Sequence, residues 1–189
     1  MKKINLLTAI LAVGCTTIAQ TKWKVDKTHA KIGFTVTHLT VSEVDGNFEK
    51  FDASIVSSKS DFSDAIFEIT ADVNLVNTDN ETRDNHIKGP DFFDAVKYPV
   101  ITFKSRTVNK IDDKKYKITG ELTMHGVTKI ITLDLIMNGM VKDTHSQKPL
   151  AGFKVSGTIN RNDFGVGRVP AAMVGDDIEI KASGEFEHL

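Results

Sequence analysis

Apolar and polar side chains alternate with a period of two along most of this chain. Ile32, Phe34, Val36 and His38 share one face of an extended segment, with Lys31, Gly33, Thr35 and Thr37 opposite. Phe67, Ile69, Ala71, Val73 and Leu75 repeat the pattern against Ile66, Glu68, Thr70, Asp72 and Asn74. It returns through Ile101 and Phe103, through Tyr116, Ile118, Gly120, Leu122 and Met124, and through Ile131, Leu133, Leu135 and Met137. Phe153, Val155, Gly157 and Ile159 follow, then Ile178, Ile180, Ala182, Gly184 and Phe186. Successive side chains of a strand point to opposite sides of a sheet, so each run reads as a strand with one face buried. With a further strand near residues 48–56, the pattern predicts about eight strands.

His125-Gly126, Asp112-Asp113 and Asp45-Gly46 read as turns between antiparallel neighbours. Helical periodicity is nearly absent, which argues against a parallel α/β fold and for an all-β barrel or sandwich. Closure into a barrel removes the sheet edges, and about eight strands leave an interior just wide enough for packed side chains or one slender ligand. Gly120, Gly157 and Gly184 lie on apolar faces, where they either bend strands or leave interior volume unfilled.

Residues 83–103 break the pattern. Thr78 and Glu81 match a capping box, so a short helix is predicted from near Asp79 until Gly89-Pro90 stops it. Asp91 then caps a second turn carrying Phe92, Phe93, Ala95 and Val96, and Tyr98-Pro99 ends it. An apolar insertion of this length must bury its aromatics against something, and the mouth of a barrel is the expected place. Phe92 and Phe93 therefore read as lid residues, and Phe34 as part of the wall. Arg83 and Asp84 read as an ion pair that fixes the insertion.

At the start of the chain, Lys2 and Lys3 precede an apolar run from Ile4 to Val13 and small residues as far as Ala19. Residues 1–19 thus read as a secretory signal, with the mature domain at 20–189. A weak lipoprotein box ending at Cys15 is the competing reading and would tether the protein to a membrane. Removing residues 1–19 takes away two lysines and no acid, leaving 22 basic against 25 acidic side chains and a net charge of −3. That balance argues against nucleic acid or an anionic membrane surface as partner. Cys15 is the only cysteine, so an exported domain starting at Gln20 has no disulfide and stands on its core and hydrogen bonds.

Chemistry-bearing motifs are scarce. The six histidines form no H-x-H or H-x-x-x-H pair, so no metal site is expected. His38 reads as an interior residue or a head-group contact, His29 as the end of a strand-opening turn, and His125 as a turn residue with positive φ. Asn160, Arg161, Asn162 and Asp163 read as a turn whose side chains satisfy backbone groups. No G-x-S-x-G, no mature cysteine and no paired carboxylates stand out, so catalysis is not expected.

Several segments in order carry a family resemblance. They are Trp23-Lys-Val-Asp26-x-x-His29, Ile32-x-Phe34-x-Val36-x-His38-Leu39, Val44-x-Gly46-x-Phe48, Arg83-Asp84-x-His86 and Asp91-Phe92-Phe93-Asp94-Ala95. Tyr98-Pro99-x-Ile101-x-Phe103, Gly120-x-Leu122-x-Met124-His125-Gly126-Val127-Thr128 and Ile159-Asn160-Arg161-x-Asp163-Phe164-Gly165 complete the set. Together they resemble the YceI family across essentially the whole mature chain. The resemblance implies an extended, eight-stranded antiparallel lipocalin-like barrel with a short helical insertion over its cavity. It also implies export to the periplasm or beyond, a polyisoprenoid or similar long amphiphile as ligand, no catalytic residues of agreed role, and a possible homodimer; no cofactor is expected. On such a barrel the candidate cavity and lid residues are Phe34, Val36, His38, Phe67, Ile69, Phe92, Phe93, Phe103, Leu122, Met124, Phe153, Val155 and Phe164. An isoprenoid quinone precursor or a fatty acid or amide would suit the same cavity, and the alternatives are a filled barrel acting as a structural or interaction protein, or an unrecognised hydrolase.

Overall fold

The computed structural model describes residues 20–189, so the expected signal segment lies outside the described residues. The strands are β1 (Thr21–His38), β2 (Ser42–Phe48), β3 (Phe51–Ser57), β4 (Ile66–Asp72), β5 (Val76–Asn77), β6 (Val100–Lys110), β7 (Lys115–Met124), β8 (Val127–Lys142), β9 (Pro149–Asn160) and β10 (Val174–His188). All pairings are antiparallel, and the sheet closes where β10 returns to β1, from Trp23 opposite His188 to His38 opposite Val174.

Two of the strands are broken. The upper half of β1 pairs with β2 and its lower half with β3. β5 continues β4 in the same way, pairing with β2 while β4 pairs with β3. Counting each broken strand once, this is a closed eight-stranded antiparallel barrel. The two breaks lie side by side, joined by the Glu49 N–H donating to the Leu75 carbonyl at 2.9 Å and the Asp72 N–H to Lys50 at 2.8 Å. At the second break Asp72 accepts from the Asn74 N–H and caps a 3-10 turn over Val73–Leu75. Val73 and Leu75 therefore do not continue the strand, and Leu75 is exposed.

The first hairpin turns at Leu39 and Thr40, which take left-handed φ of 51° and 61°. Asp45-Gly46 is not a turn and lies inside β2, because the Phe34 ring packs where a Cβ on residue 46 would stand. The β7–β8 turn falls at His125 and Gly126 as expected, with φ of 52° and 75°. Gly120 and Gly157 leave no void: the space their side chains would fill holds the Phe103 ring and the Leu133 side chain.

The insertion contains one helix, α1 (Glu81–Lys88), capped by Asn80 rather than Thr78. The Asn80 side chain accepts from the Arg83 N–H at 2.9 Å. Thr78 is engaged differently, since its N–H and hydroxyl both donate to Asp84 Oδ1, at 2.9 and 2.6 Å. Arg83 Nε donates to the same hydroxyl oxygen at 2.8 Å and Nη2 to the Thr78 carbonyl at 2.6 Å. Arg83 and Asp84 thus fix the insertion by clasping Thr78, not by pairing with each other. After Gly89 the chain turns through residues 91–98, burying Ala95 while Val96 points outward at 95% exposure.

Candidate functional site

The two ends of the barrel are built differently. At the end holding the β6–β7 and β8–β9 hairpins, the 58–65 loop folds inward and places Phe62 at 2% exposure among Trp23, Phe153 and their neighbours. Phe62 meets Trp23 at 5.3 Å and Phe153 at 5.0 Å between ring centroids, and Phe153 meets Phe67 at 5.4 Å and Phe186 at 5.8 Å. All but the tilted Trp23 contact are edge-on, an arrangement that aromatic quadrupoles favour. The loop is held by Asp64, which accepts from the Ser57 and Ser58 hydroxyls and the Ser58 and Lys59 N–H groups, and by the Tyr116 hydroxyl donating to the Asp61 carbonyl at 2.8 Å. Burial alone would raise the Asp64 carboxyl pKa, but these donors hold it well below the usual carboxylate range.

Toward the other end the barrel is hollow. A cavity of about 350 Å³ runs down from the mouth, within the range of ligand-binding pockets. Its depth can be read along the strands. Ile118 lines it but Tyr116 does not; Leu133 does but Leu135 does not; Val155 does but Phe153 does not; Ala182 does but Phe186 does not. Phe67 completes the floor. Above it, inward-facing Ile32, Phe34, Val36, Ile178 and Ile180 are only half-buried because they face open space.

Most of the residues expected at the cavity face it: Phe34, Val36, His38, Phe67, Ile69, Phe92, Phe93, Phe103, Leu122, Met124 and Val155. Two do not. Phe153 lies one layer below the floor in the aromatic cluster, and Phe164 is buried beneath the turn of His125, whose Nδ1 bonds its carbonyl at 3.1 Å. His38 is no interior residue either; it sits exposed at the mouth, past an irregularity in the β1–β10 pairing. Phe48, Ile178 and Ile180 also line the cavity, and the same alternation could have marked them. Phe34 packs against Phe48 at 5.9 Å and Phe48 against Phe93 at 6.2 Å, which ties the insertion to the wall.

Polar groups gather at the rim. Thr37, His38, Thr78, Arg83, His86 and Arg161 are the lining side chains that carry polar atoms, and among the described residues the wall has no serine, cysteine or carboxylate. Arg161, 2% exposed, is spent on structure: its three nitrogens donate to the carbonyls of Val166, Gly167, Val169, Val174 and Gly175, to the Asn162 amide oxygen and to Asp176 Oδ1. It shapes the β9–β10 connection into one side of the mouth, the backbone-satisfying role expected of the Asn160–Asp163 turn. On the other side, His86 stands edge-on to Phe92 at 5.1 Å.

Asp26, His29 and Glu185 form a grouping that spacing did not bring together, with donor atoms within 4.8 Å of one another on the outer surface. His29 Nδ1 bonds Asp26 Oδ2 at 2.7 Å where β1 bulges between Asp26 and Ala30, so His29 belongs to a bulge rather than an opening turn. That bond, with those from Thr28, pulls the Asp26 pKa down to about 2, and Asp26 in turn raises that of His29.

The YceI-like domain family matches residues 23–186, nearly the whole barrel. This chain belongs to the YceI family. The UPF0312 protein of Staphylococcus aureus strain N315 is 34% identical to it over 171 residues, covering 88% of this chain and 97% of that one. The crystal structure of the Campylobacter jejuni YceI protein covers 99% of this chain and 98% of its own, at 34% identity and a TM-score of 0.73. BcnA of Burkholderia cenocepacia, at 24% identity, 85% of this chain and 98% of its own, superposes with a TM-score of 0.77 and shares the fold. So does a polyisoprenoid binding domain from Saccharophagus degradans, at 14% identity, 88% and 98% coverage and a TM-score of 0.65. The YceI barrel is thus the scaffold on which this cavity is built.

Proposed function

We propose that this YceI-family protein binds a single-chain amphiphile, an isoprenoid or acyl lipid, with its tail in the barrel and its polar head at the rim, as carrier or store. The observation that carries the reading is the segregation inside the cavity: apolar side chains down to the floor, polar atoms only at the mouth. Each methylene enclosed there contributes about 0.8 kcal/mol, so a tail alone can supply affinity without polar contacts. With Arg161 and two of the three Arg83 nitrogens taken up by structural hydrogen bonds, His38 and His86 are the rim's remaining ionisable side chains, which suits a head group that carries acceptors. The wall lacks the nucleophile beside a base that a hydrolase needs, and this supports a binding protein over an enzyme. The description of the Saccharophagus degradans relative as a polyisoprenoid binding domain supports the ligand class. Residues 1–19 would direct export, leaving a mature protein that begins at Gln20; no helix among the described residues is long and apolar enough to cross a membrane.

The test is extraction of gently purified protein with organic solvent and mass spectrometry of the extract. A stoichiometric long-chain molecule is expected. An empty extract, together with failure to take up any prenyl or acyl probe, would end this reading.

A further inference from the structure

We propose that one side of the barrel mouth is a lip that dips into a neutral lipid bilayer, so that the ligand passes between membrane and cavity without crossing water. The inference rests on the cavity being a lipid site and names the surface from which that site is filled.

The lip is made of two neighbouring turns. Leu39, Thr40 and Val41 form the β1–β2 turn, and residues 170–173, Pro-Ala-Ala-Met, form the last turn before β10. All seven residues are exposed, Val41 at 83%, Met173 at 51% and Leu39 at 49%. The Leu39 N–H donates to the Met173 carbonyl at 3.0 Å, which ties the turns together, and Met173 also lines the cavity. Thr40 apart, every side chain here is apolar, and no charged residue occurs within 39–42 or 169–175. An apolar patch that borders a polar rim marks an interaction surface. The other side of the mouth differs, since the insertion exposes Asp91 and Lys97.

Leu39 and Thr40 hold the left-handed central positions of their turn, which Asn and Gly occupy with less strain. A turn that served only to reverse the chain would have no use for a leucine there. Much of the lip's backbone is satisfied without water, as an apolar medium requires. The Val41 N–H donates to the His38 carbonyl at 3.1 Å, the Met173 and Val174 N–H groups to the Pro170 carbonyl at 2.8 and 3.2 Å, and the Thr40 hydroxyl to the Leu39 carbonyl at 2.6 Å. Two turn tips are too small for a stable contact between copies, which takes about 800 Å² per partner, but they suffice to enter the interface of a bilayer. With no base on the lip, a neutral zwitterionic surface fits better than an anionic one. Each methylene carried through water slows transfer about fourfold, so direct passage matters more the longer the tail.

The experiment loads the mature protein with a fluorescent fatty acid and mixes it with phosphatidylcholine vesicles. The protein is expected to float with the vesicles at low and high salt, to gain nothing from added phosphatidylglycerol, and to release probe at a rate proportional to vesicle concentration. No flotation, with a release rate independent of vesicle concentration, overturns the lip and leaves the lipid site standing. Val41→Glu and Ala172→Glu, neither of which lines the cavity, should each weaken flotation and slow transfer about tenfold at unchanged probe affinity. Val141→Glu, at an exposed apolar position of the solid end, should change neither. An equal loss in Val141→Glu overturns the placement of the contact at the mouth. A dimer in solution that Val41→Glu splits assigns the lip to a second copy and overturns the bilayer as its occupant. Absence of any probe uptake overturns the lipid site, and with it the passage, even where unloaded protein floats.

Discussion

The lower and upper halves of this barrel are made from the same strands and the same alternation, yet one is a solid and the other a container. In the lower half Trp23, Phe62, Phe153 and Phe186 interlock, and the inward side chains are almost fully buried. In the upper half Ile32, Phe34, Val36, Ile178 and Ile180 face across open space. Stability is therefore concentrated at one end, where burial is complete, while at the other the inward side chains are left half-buried around an apolar cavity. The insertion and the Arg161 loop close the hollow end without filling it.

The largest effect should come from the solid half. Phe153→Ala is expected to cost about 3–5 kcal/mol, read as a lower denaturant midpoint at unchanged slope, which threatens a domain of ordinary stability. If it costs no more than a cavity-wall substitution, the two halves are not different in kind. Next is Arg161→Met, which strands several buried carbonyls at once; a loss of about 2–4 kcal/mol is expected, with faster probe release because one side of the mouth loosens.

Asp64→Asn should cost about 1–3 kcal/mol at neutral pH by weakening the anchors of the Phe62 loop. The sign with pH follows from the lowered folded-state pKa of Asp64. The charged carboxylate stabilises the fold above its unfolded value of about 4, and that contribution is lost as pH falls through the acid range. The gap in unfolding free energy between wild type and variant should therefore shrink below about pH 4, and a gap independent of pH would contradict the assignment.

The smallest stability effects belong to the hollow half. Phe34→Ala and the Phe92→Ala/Phe93→Ala pair should each lower unfolding free energy by about 1 kcal/mol or less per residue, since half-buried rings lose little transfer energy. Both should speed dissociation of a bound fatty probe, and the insertion pair should do so more. Phe34 reads from its strand as ordinary wall, whose loss would damage the fold; its place opposite the cavity changes that expectation. Wild-type release rates in both variants would show that none of the three rings touches the ligand.

Much of this molecule is decided by its sequence alone. The period of two assigns each side chain to the inner or outer face, Gly89-Pro90 ends α1, His125-Gly126 turns the β7–β8 hairpin, and the ordered motifs from Trp23 to Gly165 mark the family. These are local matters, governed by backbone geometry and a few neighbours. Other features exist only once the barrel closes. Phe67 and Phe153 look alike in their strands, yet one faces the cavity and the other is buried behind it, because a loop residue, Phe62, enters from below. Thr78 looks like a cap until Asp84 and Arg83 fold back onto it, and Gly46 looks like a turn until the Phe34 ring lies over it. Alternation tells which way a side chain points; what stands opposite it, and hence whether the interior is filled or hollow, depends on residues far away in the chain.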